Sequence, residues 1–109
     1  MTVEELAKEL SLNTLCMPRP EREVTGGFAG DLLSWVMGGA AEGDAWVTIM
    51  SNVNVIAVAS LCDTACVVLA SGTVPDEGVL ETAKEKEINV LNSPLTEFEL
   101  CVRIGKLLK

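Results

Sequence analysis

A chain of 109 residues with a formal net charge of −8 and no histidine is the size of one domain, and its charge excludes whole classes of partner. Binding a nucleic acid or an anionic membrane surface takes clustered Lys and Arg, and the 8 basic residues against 16 acidic ones form no cluster. Apolar residues make up 49% of the chain but aromatic ones only 4%, so a core without disulfide or metal is expected to be mainly Val, Leu, Ile, Ala and Met.

The opening MTVEELAKELSL lacks the basic region and apolar run of a signal peptide, and no apolar stretch reaches the roughly 18 residues of a membrane span. The chain therefore reads as cytoplasmic. Thr2 followed by Glu5 has the spacing of a capping box and predicts a helix to about Leu10. Leu12–Cys16 reads as a short strand, and Met17-Pro18-Arg19-Pro20-Glu21 as a turn, because proline disfavours helix before it and gives a sheet no donor. Val24-Thr25-Gly26-Gly27 then leads into a helix expected over Phe28–Met37, with Phe28, Leu32, Leu33 and Val36 on one face and Gly38-Gly39 at its end.

Glu42-Gly43-Asp44 is a turn before a strand over 45–50. Asn52 or Asn54 can cap the helix that runs through Leu61. Residues 65–70 are continuously apolar, the pattern of a strand covered on both faces, and Ser71-Gly72-Thr73 breaks the run. Pro75-Asp76-Glu77 opens an amphipathic helix carrying Val79, Leu80 and Ala83, and Ile88–Leu91 is a further strand. Asn92-Ser93-Pro94 starts the last helix, with Leu95, Phe98, Leu100, Val102, Ile104 and Leu107 as its apolar side. Alternating strands and helices from Trp46 onward imply right-handed crossovers. The expected fold class is α/β: a single three-layer α/β/α domain over 1–109, with a mainly parallel central sheet.

Ligands of open parallel sheets gather at the carboxyl ends of the strands. Here those ends carry Ser51-Asn52, Ser71-Gly72-Thr73 and Asn92-Ser93, a neutral rim of hydroxyl and amide groups able to donate to a phosphate. The same residue types are the ones that cap helices, so plain capping accounts for them too. Thr25-Gly26-Gly27-Phe28-Ala29-Gly30-Asp31 offers glycines that can close around an anion. It nevertheless matches neither the dinucleotide fingerprint nor the P-loop, and Asp31, expected in the first helical turn, would repel phosphate. A tight turn or a close backbone approach explains the glycines equally well.

With no histidine, no nucleophile motif and acidic residues on solvated helix faces, no catalytic group is identified and the chain does not read as an enzyme. Cys16, Cys62, Cys66 and Cys101 lack the two short-spaced pairs of structural zinc, and they are expected as buried core thiols, with no metal or cofactor bound. A redox pair at Cys62 and Cys66 is the alternative, which thiol titration would reveal.

Taken together, Arg22-Glu23-Val24-Thr25-Gly26-Gly27, Gly30-Asp31-Leu32-Leu33-Ser34-Trp35-Val36-Met37, Gly43-Asp44-Ala45-Trp46-Val47-Thr48 and Asn54-Val55-Ile56-Ala57-Val58-Ala59-Ser60 resemble the DRTGG domain family. Thr25-Gly26-Gly27 fits the name pattern, Arg22 and Glu23 approximate its start, and Asn52 stands where members often carry histidine. The resemblance implies a fold similar to the amino-terminal domain of HPr kinase/phosphorylase, without its P-loop. It also implies a regulatory or dimerising role of the kind such domains play beside CBS domains in nucleotide-regulated pyrophosphatases.

Two functions are carried forward. One is a non-catalytic interaction module that forms a homodimer and docks on a larger protein, with Gly26, Gly27, Gly30 and nearby Trp35 as the contact surface unless Trp35 is core. The other is a sensor binding a nucleotide or other phosphorylated metabolite at Ser51, Asn52, Asn54, Ser71, Thr73, Asn92 and Ser93. Neither takes nucleic acid or membrane as partner.

Overall fold

The computed structural model describes residues 1–109. Thr2 and Glu5 form the expected capping box on α1 (Val3–Glu9), the Thr2 hydroxyl accepting from the Glu5 amide at 3.1 Å. The chain continues through β1 (Asn13–Cys16), β2 (Gly26–Ala29), α2 (Leu33–Gly39), β3 (Asp44–Thr48), α3 (Asn54–Cys62), β4 (Cys66–Leu69), α4 (Val79–Glu85), β5 (Val90–Asn92) and α5 (Glu97–Leu107).

The five strands form one mixed sheet in the order β1-β5-β4-β3-β2, parallel except for β1, which pairs antiparallel with β5. From β2 to β5 each strand lies next to its predecessor and always on the same side of it. Right-handed crossovers stepping in one direction must place every connecting helix on one face. Accordingly α2, α3 and α4 cover one face, burying Val36, Ile56, Ala59 and Ala83 against Trp46, Val67 and Val90. The opposite face is left to the first and last helices, where Val3, Leu6, Leu100 and Ile104 pack on Ala45, Val47, Cys66, Val68 and Leu91. Alternation along each central strand divides its residues between the two cores, giving the α/β/α layering.

Several expectations change. Residues 26–29 form a strand rather than the start of a helix: Gly26 to Ala29 pair in register with Asp44 to Val47. The helix that follows begins only at Leu33, and Asp31 precedes it instead of lying in its first turn. Glycine-rich sequence disfavours both helix and strand, so here tertiary space decides. An added Cβ at Gly26 would stand 2.7 Å from Asp44 Oδ1. Gly43 takes φ +84°, and a side chain there would collide with the Thr25 hydroxyl.

Helix starts also shift. α3 is capped by neither asparagine directly: Val53 is its N-cap, and Asn52 Oδ1 accepts from the Asn54 amide at 2.9 Å. α4 starts after Gly78 in the left-handed conformation, two residues beyond Asp76. α5 starts at Thr96, which closes a second capping box with Glu99, instead of at Asn92-Ser93-Pro94. On α5 only Leu100 and Ile104 are buried, while Phe98 is 78% exposed and Val102 is also exposed.

Candidate functional site

The strand-end rim is built from the turns that leave β2, β3, β4 and β5, and its polar groups are largely engaged with one another. Asp31 Oδ1 accepts from the Thr48 hydroxyl at 2.7 Å and from the Ile49 amide at 2.9 Å. Ser51 donates its hydroxyl to Asp76 at 2.8 Å. Asn92 Nδ2 donates to the Thr73 carbonyl at 3.0 Å, and the Ser93 hydroxyl accepts from the Leu95 amide at 3.1 Å. The amides of Ser71 and Gly72, which could have faced an anion, donate instead to Leu95 and Ser93 carbonyls at 2.7 and 2.8 Å. Ser71 and Gly72 both take positive φ, 56° and 71°, to make that turn.

The rim is therefore not neutral. Asp31, Asp76 and Glu97 bring three carboxylates to it, and no Lys or Arg occurs between Arg22 and Lys84. Burial pushes the Glu97 carboxyl above the ordinary carboxylate range, and the neighbouring Asp31 charge and hydrogen bond push it further the same way. Glu97 and Asp31 are far apart in sequence, so no local spacing announced the pair.

Thr25-Gly26-Gly27 has a structural account. The Thr25 hydroxyl donates to the Glu42 carbonyl at 3.4 Å and sits beneath Gly43, while Gly26 makes room for the Asp44 carboxylate. That carboxylate in turn accepts from the Ala41 amide at 2.8 Å. Arg22 reaches across to the left-handed Asp63 that ends α3, donating to its carboxylate at 2.8 Å and its carbonyl at 2.9 Å. These contacts tie the start of β2 to the turns around β3. Glu23, Glu42 and Asp44 surround them, which is the wrong charge for an anion cradle.

The most unusual surface lies farther along. α2 and α3 pack side by side and contain no charged residue. They leave Trp35 74% and Leu61 76% exposed, with Met37 and, just outside the helices, Leu32 and Val53 also exposed. Trp35 is therefore surface, not core. Its neighbour is β2, whose outer edge has no partner strand. On the α5 side of that edge an apolar groove of about 210 Å³ runs between Gly27, Phe28 and Ala29 and Cys101, Ile104 and Leu108. On the other side lies a shelf made by Phe28, Ser34, Trp35, Gly38 and Gly39. Sequence reasoning named the glycines and Trp35 but missed Leu61 and Met37. The available signal was the lack of charge in both helices, which leaves them no polar face to turn outward.

The four cysteines are free and do not share one environment, correcting the expectation of uniformly buried thiols. Cys66 is fully buried, which pushes its thiol up to about 12, while Cys16 and Cys62 are half-buried and Cys101 is exposed. No group of three or more Cys, Asp or Glu side chains is arranged to hold a metal. No helix is long and apolar enough to cross a membrane.

No protein-family model matches the chain, and no curated protein does. Among solved structures it is similar to the CBS and DRTGG domains of the regulatory region of a pyrophosphatase from Clostridium perfringens, complexed with an activator, diadenosine tetraphosphate. The TM-score is 0.72 at 15% identity, covering 98% of this chain and 45% of that one. The chain thus spans under half the length of that regulatory structure, and its fold is DRTGG-like.

Proposed function

We propose that the chain is a non-catalytic regulatory module that works by protein contact and forms a homodimer through its uncharged face. The observation that carries this reading is the group of exposed apolar side chains on the adjacent, uncharged helices α2 and α3 and the uncharged groove and shelf at the β2 edge, in a protein whose charges are otherwise numerous and mostly of one sign. Monomeric proteins seldom leave several large apolar side chains such as Trp35 and Leu61 exposed on adjacent uncharged helices without covering them. None of the residues lining the groove and the shelf at the β2 edge is charged, so two copies meeting there bring no like charges into direct contact. A larger protein can then dock on the pair. The test is sedimentation equilibrium on the purified chain. A dimer at micromolar concentration that becomes a folded monomer in the double variant Trp35→Glu/Leu61→Glu supports the reading. A wild-type monomer at hundreds of micromolar overturns it.

A second reading is favoured by the nucleotide activator bound in the similar regulatory structure. In it, a phosphorylated metabolite sits at Ser51, Asn52, Asn54, Ser71, Gly72, Thr73, Asn92 and Ser93. Such a ligand at about 100 times its dissociation constant would add about 2.7 kcal/mol of stability. Thermal unfolding against nucleotides and sugar phosphates reads this directly, and Ser71→Ala or Asn52→Ala would reduce the shift. The engaged donors and three carboxylates of the rim weigh against it.

A further inference from the structure

Resting on the homodimer reading, we infer that the second copy docks edge to edge, its β2 pairing antiparallel with β2 so that one sheet continues into the other. The residues Gly26–Ala29 have β3 on one side and nothing on the other, and the single bridge near this edge, Thr2 to Glu23, comes before the strand. An unpaired edge is a template for another strand unless charge, proline or a bulge blocks it. Gly26-Gly27-Phe28-Ala29 contains no charge and no proline, and its pairing with β3 runs without a register shift.

Both faces beyond the edge are prepared for an added strand. Side chains of an added strand alternate between the two faces of the sheet. On the α5 side they would meet the groove lined by Cys101, Ile104 and Leu108, and on the α2 side the shelf of Phe28, Trp35 and Gly39. Neither lining contains a charged residue. A charged peptide would find no counter-ion there, whereas a second copy brings an equally uncharged strand.

Symmetry limits the registers to those whose axis passes through a residue. Gly27 faces Ile104 on the α5 side, and the Phe28 ring lies against Gly30 and Gly39 on the α2 side. A two-fold axis normal to the sheet keeps like faces together, so only residues on the same face can stand opposite one another. An axis through Phe28 meets this condition. It sets the two Phe28 rings against each other beside Trp35 and places Gly27 opposite Ala29 over the groove. Because the other edge of the sheet is a different strand, the assembly closes at two copies.

The experiment is Ala29→Lys, an exposed position on the open edge, measured by sedimentation equilibrium beside Val74→Glu, an exposed apolar residue between β4 and α4 that lines neither the groove nor the shelf. Edge pairing predicts that Ala29→Lys weakens dimerisation at least 100-fold while Val74→Glu leaves it unchanged. A folded Ala29→Lys that dimerises like wild type overturns edge pairing but leaves the homodimer reading intact. A monomeric wild type removes both. Should Ala29→Lys fail to fold, hydrogen exchange of the wild type decides. Protection of the amides at 26–30 must rise with protein concentration, and concentration-independent exchange there overturns the proposal.

Discussion

The two edges of the sheet are finished in opposite ways. At the β1 edge the pairing with β5 carries a register irregularity between Thr14 and Cys16, and Pro18 and Pro20 follow at once. The turn there is fastened by buried Asn89, which accepts from the Arg19 amide at 2.9 Å and donates to the Arg19 and Ala65 carbonyls at 2.7 and 3.0 Å. A bulge and prolines are what edges use to refuse a further strand. The β2 edge has neither; it is held at its beginning by Arg22, Thr25 and Gly43 and just past its end by Gly30 and Asp31, which accept from Trp46, Thr48 and Ile49. One edge ends the sheet; the other leaves it open.

Disturbing each anchorage separately breaks this comparison. The largest effect is expected at the open side from Gly43→Ala. It combines a left-handed backbone, which costs a non-glycine residue about 1–2 kcal/mol, with a clash on Thr25 worth about 1–3 kcal/mol. Urea unfolding should show a loss of about 2–5 kcal/mol, and a midpoint equal to wild type would mean that the β2 junction is not held there. At the closed edge, Asn89→Ala strands buried partners of three hydrogen bonds and should cost about 1–3 kcal/mol. Its signature is local: hydrogen exchange should quicken around Arg19 while β2 keeps its protection. Equal quickening at both edges would argue against separate fastenings.

The smallest effect concerns the rim where β2 ends. Glu97 has a raised native value, so the folded state holds its proton more tightly than the unfolded chain does. Its favourable contribution is complete below the ordinary carboxylate value of 4.5 and is lost as pH rises through the elevated native value. Glu97→Gln should therefore be more stable than wild type near neutrality, with the advantage shrinking toward pH 4. A difference that stays constant from pH 4 to 7 would count against the Asp31 pairing. Glu5, Glu21 and Glu99 act with the opposite sign, because hydrogen bonds lower them and their contribution fades as pH falls.

Much of the fold was legible where the determinants are local. The Thr2–Glu5 capping box and the apolar runs at 45–50 and 65–70 carry their signals within a few residues. The capping box at Thr96 and Glu99 was equally local, yet Asn92-Ser93-Pro94 offered a competing start a few residues earlier. The candidate site was less legible. Ser51, Ser71, Asn92 and Ser93 do fall at the strand ends, but their engagement with Asp76, Leu95 and Thr73 depends on loops meeting across the sheet.

The sequence by itself determined the alternation of strands and helices and the apolar central strands, because hydrophobic period is a property of short windows. Only the tertiary structure decided that Thr25-Gly26-Gly27 opens an edge strand and that Trp35 faces solvent. Glycine has no preference strong enough to choose a strand. The choice came from the space beside Asp44, Thr25 and Ile104, which exists only once β3 and α5 have packed.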